Sequence, residues 1–156
     1  MTRMIANRYI PGSMVLLLLL LQGCSLLGGN HRELTDLDTA RRVWDAQGLH
    51  DYDFTLNRSC YCGLYSPHRL EVRADTIKSA IRLENGEAIA DSELKSFDTI
   101  EALFLVIEQA VDRADALTVE YNLALGYPTR IDIDYIKNAV DDEILYQVSD
   151  VTPLDR

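Results

Sequence analysis

Cations are scarce in this sequence. Fifteen Lys and Arg stand against 25 Asp and Glu in 156 residues, a formal net charge of −10. That balance excludes a nucleic-acid partner, because phosphate binding needs clustered cations. It equally excludes electrostatic docking on anionic lipid. Metal ligands are thin as well: the chain has three histidines and three cysteines, and no histidine pair has zinc-hydrolase spacing. There is no glycine-rich phosphate loop and no Gly-x-Ser-x-Gly elbow. Asp and Glu are plentiful, but abundance does not place two of them in one cleft. No internal repeat occurs, and the only low-complexity run is leucine-rich, at residues 16–21. With Met14 and Val15 that run is 8 residues long, and a bilayer-spanning helix takes roughly 20.

What is present at the N-terminus has the layout of a secretory signal. Arg3 and Arg8 precede the apolar run, Pro11-Gly12 separates the two, and small residues follow. The run ends in Leu21-Gln22-Gly23-Cys24. This tetrapeptide resembles the lipobox of bacterial lipoproteins, in which the cysteine thiol receives a diacylglycerol carrying fatty acyl chains such as palmitate. The resemblance implies cleavage before Cys24, a lipid anchor on its sulfur and acylation of the new amino group. The competing reading is an ordinary signal peptide with a chance cysteine. Two or three acyl chains hold a protein stably on a membrane, whereas one is marginal. Ser25 stands where Asp would imply retention in the inner membrane, so a two-membrane cell would place the protein in the outer membrane, facing the periplasm.

Removal of residues 1–23 takes Arg3 and Arg8 with it, and the charge moves to about −12. Residues 24–34 then read as the lipidated cysteine and a tether, flexible at Gly28-Gly29. Nine flexible residues span about 15–18 Å on average, which keeps a following domain close to the bilayer.

Residues 35–152 read as one α+β domain. Thr35 is placed to cap a helix whose apolar stripe is Leu37, Ala40, Val43 and Trp44, with Gly48 as its stop. Alternation then predicts strands. Tyr52, Phe54 and Leu56 point inward; Leu70, Val72 and Ala74 repeat the pattern; residues 77–83 return after Asp75-Thr76. Glu84-Asn85-Gly86-Glu87 is a turn signal. Residues 96–114 form the clearest helix, with Asp98 as expected cap, Glu101 completing a capping box and Phe97 as staple. Strands through Leu117, Val119 and Tyr121, through Ile131 and Ile133, and through Ile144, Tyr146 and Val148 follow. Helix, three strands, helix, three strands predicts an antiparallel sheet of about five or six strands. Two helices cover one face and the other face is wet.

The segments "YDFTLNRSCYC", "TIEALF", "GYPTRIDID" and "NAVDDEILYQVSD" resemble the bacterial proteins grouped as domain of unknown function 6174. They cover most of residues 52–150, and the cysteine pair and the Gly-Tyr-Pro-Thr segment are the specific part of the match. The resemblance implies an envelope location, since that family is largely secreted proteins and lipoproteins. It carries no established activity.

Cys60 and Cys62 remain once Cys24 is lipidated, an even number in an oxidising compartment. Residues two apart in a regular strand are separated by roughly 6.6 Å, and a disulfide needs β-carbons about 3.5–4.5 Å apart. A bridge therefore requires a bend, which Ser59 and Gly63 permit. Free packing thiols, a redox pair and a copper(I) site are the alternatives. Zinc lacks ligands, with only His68 near and His31 and His50 farther off. Asp132, Asp134, Asn138, Asp141, Asp142 and Glu143 crowd one hairpin, but Ile136 and Lys137 break an EF-hand, which leaves a polar turn or a looser calcium site. Gly126-Tyr127-Pro128-Thr129 shapes the start of a strand, with Tyr127, Tyr121 and Tyr65 as an alternative binding surface. The expected function is a lipid-anchored envelope protein whose domain binds a partner, with no cofactor and no catalysis. The alternative is a thiol module, redox or copper-handling, centred on Cys60 and Cys62.

Overall fold

The computed structural model describes residues 28–60, 66–137, 139 and 141–154, with side chains from residue 35 onward. The expected signal peptide, Cys24, Cys62, Tyr65 and Asn138 lie outside the described residues.

The alternation of apolar residues sets the strands. The first half of the chain supplies β1 (Tyr52–Ser59), β2 (His68–Arg73) and β3 (Thr76–Arg82). The second half supplies β4 (Ala116–Tyr121), β5 (Pro128–Asp134) and β6 (Glu143–Pro153). All pair antiparallel in one six-stranded sheet, ordered β3-β2-β1-β6-β5-β4. The sheet is two meanders joined through their first and last strands, so β1 and β6 are central. Register places Phe54 opposite Leu70, Leu56 opposite Val148 and Ile131 opposite Tyr146, all on one face.

Two helices cover that face: α1 (Gly28–Gln47) and α2 (Ile100–Arg113). Leu37, Ala40 and Trp44 of α1 enter the same buried cluster as Ile100, Leu103, Phe104 and Ile107 of α2 and the inward residues of the sheet. Each fully buried aliphatic or aromatic side chain there contributes roughly 1.5–3 kcal/mol. The opposite face is polar: Arg69 pairs with Asp53, Arg73 with Glu71 and Arg130 with Asp132, and Asn57 donates to Gln147. The fold is thus the α+β arrangement that the element order implies, with six strands.

Four local details differ from the sequence pattern. First, α1 begins at Gly28, not Thr35, so residues 28–34 are helical and not an open tether. No proline lies between residues 12 and 66, and a nucleated helix extends at little further cost. Second, Ala74 is not a strand residue. With Asp75 it forms a two-residue turn in which both have positive φ, 47° and 59°. Asp51 offsets that strain by accepting the Ala74 N–H at 2.8 Å, and the His50 carbonyl accepts the Asp75 N–H at 3.1 Å. Third, the helix expected over residues 96–114 starts later, at Ile100, and a separate 3-10 turn at Asp91–Ser96 precedes it. Fourth, the α2 cap is Thr99, whose hydroxyl accepts the Ala102 N–H at 3.2 Å. Asp98 instead faces Arg58 of β1 at 3.6 Å. Gly48 ends α1 as expected, with φ 61°.

Candidate functional site

Glu101 marks the candidate site. It lies in the first turn of α2, where the helix dipole favours a carboxylate. One oxygen accepts the Trp44 indole N–H at 2.9 Å, and the other accepts the Tyr52 hydroxyl at 2.8 Å. Both donors are essentially buried, at 2% and 0% exposure. The Tyr52 hydroxyl in turn accepts the Ile100 N–H at 3.1 Å, so a strand side chain satisfies one of the orphan amides of α2. Burial, and then the Glu101 carboxylate, hold the Tyr52 phenol protonated well above the usual tyrosine range. Trp44 meets the rings of Tyr52 and Tyr127 edge-on, with centroids 5.3 and 6.4 Å apart. Trp44 lies in the core, as its apolar stripe implies, whereas Glu101 serves the two aromatic donors and not the capping box its spacing suggests. The available signal was two amphipathic aromatics on inward positions, each needing an acceptor when buried.

Above this triad opens a cleft of about 270 Å³, bordered by Trp44, Asp45, Leu49, His50, Asp75 and Glu101. His50 and Asp75 form a half-exposed pair at 2.8 Å. Among the described residues no Lys or Arg borders the cleft, so its chemistry is that of an acceptor-rich recess. A second, apolar groove of about 330 Å³ runs between α1 and the β4–β5 turn, past Ala40, Val43, Tyr121 and Leu123.

The other sequence candidates are dispersed. Cys60 directly follows β1 and is disulfide-bonded; its partner is not among the described residues. Tyr127 is 7% exposed and packs on Trp44, so it is a core residue and not part of a tyrosine surface. In the acidic hairpin Asp132 pairs with Arg130, and Asp142 accepts the Ile136 N–H. Among the described residues no group of three or more His, Cys, Asp or Glu is placed to hold a metal ion. Nor is any described helix long and apolar enough to cross a membrane.

Two further clusters have displaced protonation. Burial raises the Asp98 carboxyl against the pull of Arg58. Burial and then Asp98 raise the Tyr146 phenol beside them, while Arg58 lowers it. His68, 2% exposed, stacks edge-on against Phe97 at 4.9 Å, and its Nε2 has no hydrogen-bond partner among the described residues. Burial lowers its pKa below 6.5, the Ser66 carbonyl opposes that shift, and Arg82 on β3 reinforces it. The fold therefore favours neutral His68. The unfolded chain binds the extra proton, so the stability that neutral His68 contributes is complete above about pH 6.5 and is lost as pH falls below it. The expected result is a melting temperature that declines from pH 7.5 to 5.5, with a smaller decline in His68→Gln. Equal slopes in calorimetric scans of the two proteins would refute this.

A six-stranded antiparallel sheet with two helices on one face and an acceptor-lined recess at the helix junction defines the class: a small α+β domain. Within that class the chain belongs to the Family of unknown function (DUF6174), whose model matches residues 36–153. No curated protein matches the chain.

Proposed function

We propose that this is a lipid-anchored cell-envelope protein whose α+β domain is a binding module without catalytic activity. The observation that carries the reading is Leu21-Gln22-Gly23-Cys24, placed directly after a charged start and a short apolar run. Cleavage there frees Cys24 for acylation, and the lipid holds an acidic domain beside a bilayer it would not approach by charge. In a two-membrane cell the domain sits on the outer membrane and faces the periplasm. The described part of α1 reaches back to Gly28, four positions after Cys24, which supports a domain held close to the membrane. A short link of this kind raises the local concentration of a membrane-bound partner. The absence of catalysis is supported by how the perturbed groups are used. Tyr52, Asp98 and Tyr146 are tied into hydrogen bonds or ion pairs of the core, and His68 is sealed against Phe97.

The test is metabolic labelling with palmitate. The label enters the wild-type chain and is lost in Cys24→Ser; equal labelling of both, or of neither, would remove the anchor. A second reading, a redox or copper-handling thiol module, is favoured by the disulfide at Cys60. It requires that Cys60 pair with Cys62 and that replacing both abolish function while the melting temperature holds. Two thiols titrating without reductant in the lipidated protein would exclude that bridge.

A further inference from the structure

The two edges of the sheet are finished differently. The outer side of β3 is closed by the chain itself: Arg82 N–H donates to the Glu87 carbonyl and Ile89 N–H to the Ala80 carbonyl, each at 2.9 Å, and Ile81 bridges to Ala88. Among the described residues the outer side of β4 has no such cover, and no strand pairs with it. Folded proteins blunt an open edge with Lys, Pro, bulges or inward charges. Over Ala116–Tyr121 there is no Lys, Arg or Pro, the single charge is Glu120, and the one register shift falls at the end of the strand, between Glu120 and Tyr121. Leu117, Val119 and Tyr121 are half-buried on the helix-covered face, while Ala116, Thr118 and Glu120 are exposed on the other. An added strand would thus meet an apolar row on one side and a polar row on the other.

Charge decides what fits. On the polar face beside the edge stand Glu120, Asp132 and Asp134, against Arg130, which lies opposite Glu120 and is paired with Asp132. A second copy is disfavoured. Antiparallel pairing of β4 with itself about Thr118 would set Glu120 opposite Ala116, and β4 carries no Lys or Arg to answer the carboxylates beside the edge. We propose that the outer edge of β4 is a strand-addition site for an extended partner segment in which apolar residues alternate with Lys or Arg. Main-chain hydrogen bonds supply the affinity. Leu117 and Val119 select the apolar positions, and Glu120 with the neighbouring carboxylates selects the cationic ones. This names the partner chemistry for the binding reading above and rests on it; loss of palmitate labelling would sink the anchor and leave this site untouched.

The probe is a fluorescent acetyl-(Lys-Val)4-amide, titrated by anisotropy against the full lipidated protein in non-ionic detergent. Saturable binding is expected. It should weaken at least tenfold when alternate probe amides are N-methylated, because only strand pairing uses those N–H groups. It should weaken at least tenfold in Glu120→Lys, which should in turn gain affinity for the Glu-Val counterpart. Ile81→Lys, on the closed edge, should stay within twofold of wild type. Equal binding of the methylated probe would show simple charge attraction, and a dimer that the probe dissociates would assign the edge to a second copy. Either result, an unchanged Glu120→Lys or no saturation would overturn the proposal.

Discussion

Gly126→Ala is expected to lose most of the stability of the domain. Gly126 has φ 86°, a conformation side chains rarely adopt, and its α-carbon lies against α1. An added β-carbon would sit 2.4 Å from the Ala40 carbonyl oxygen, 2.6 Å from the Trp44 nitrogen and 2.9 Å from the Val43 β-carbon. Two of those atoms are helix backbone and cannot step aside without moving α1. The positive φ costs about 1–2 kcal/mol, and overpacking adds about 1–3 kcal/mol. Against a total stability of roughly 5–15 kcal/mol, that is a large fraction. Thermal unfolding followed by circular dichroism should show a melting temperature lower by roughly 10–20 °C. Gly48→Ala is the control, since Gly48 shares a positive φ of 61° but a β-carbon added there would meet nothing within 4 Å. Its cost should stay near 1 kcal/mol, about the conformational term alone. If the two variants melt together, the turn is not docked on α1.

The second large effect is expected at Glu101. Glu101→Ala leaves the Trp44 indole N–H and the Tyr52 hydroxyl without their acceptor, at buried positions. A buried donor left unsatisfied costs about 1–3 kcal/mol, so the pair should lose roughly 2–5 kcal/mol. Glu101→Gln keeps one acceptor oxygen for Trp44 and should lose about half as much. Trp44 is the only tryptophan in the chain, so its emission reports the site directly. Glu101→Ala should shift that emission, and Leu105→Ala, at a position 54% exposed on the same helix, should not. An unchanged melting temperature in Glu101→Ala would mean that the triad is not formed in solution.

Much of the architecture could be read from local pattern. Alternation at Tyr52, Phe54 and Leu56 and at Ile131 and Ile133 has one physical solution, a strand with one face buried. The stripe of Ile100, Leu103, Phe104, Ile107 and Val111 likewise allows only an amphipathic helix. The candidate site was far less legible. Asp98 and Thr99 are both good caps, and the choice fell to Thr99 because Arg58, forty residues earlier in the chain, draws Asp98 away. Glu101 fits a capping box on spacing alone. Its actual partners, Trp44 and Tyr52, are 57 and 49 residues distant. Tyr127, at a strand entry, leaves core and binding surface both open on local pattern; it is buried because that turn folds onto α1.

Residue order by itself determined the elements, their sides, the acidic character and the Leu-Gln-Gly-Cys motif, because periodicity, charge and short motifs act over a few neighbouring residues. Only tertiary structure decided that β1 and β6 meet at the centre of the sheet, that the chain closes the β3 edge, and that Glu101 joins two aromatic side chains. These depend on which distant segments win the competition for each other's backbone and polar groups. That competition is settled by burying all the apolar faces at once, a condition no local window contains.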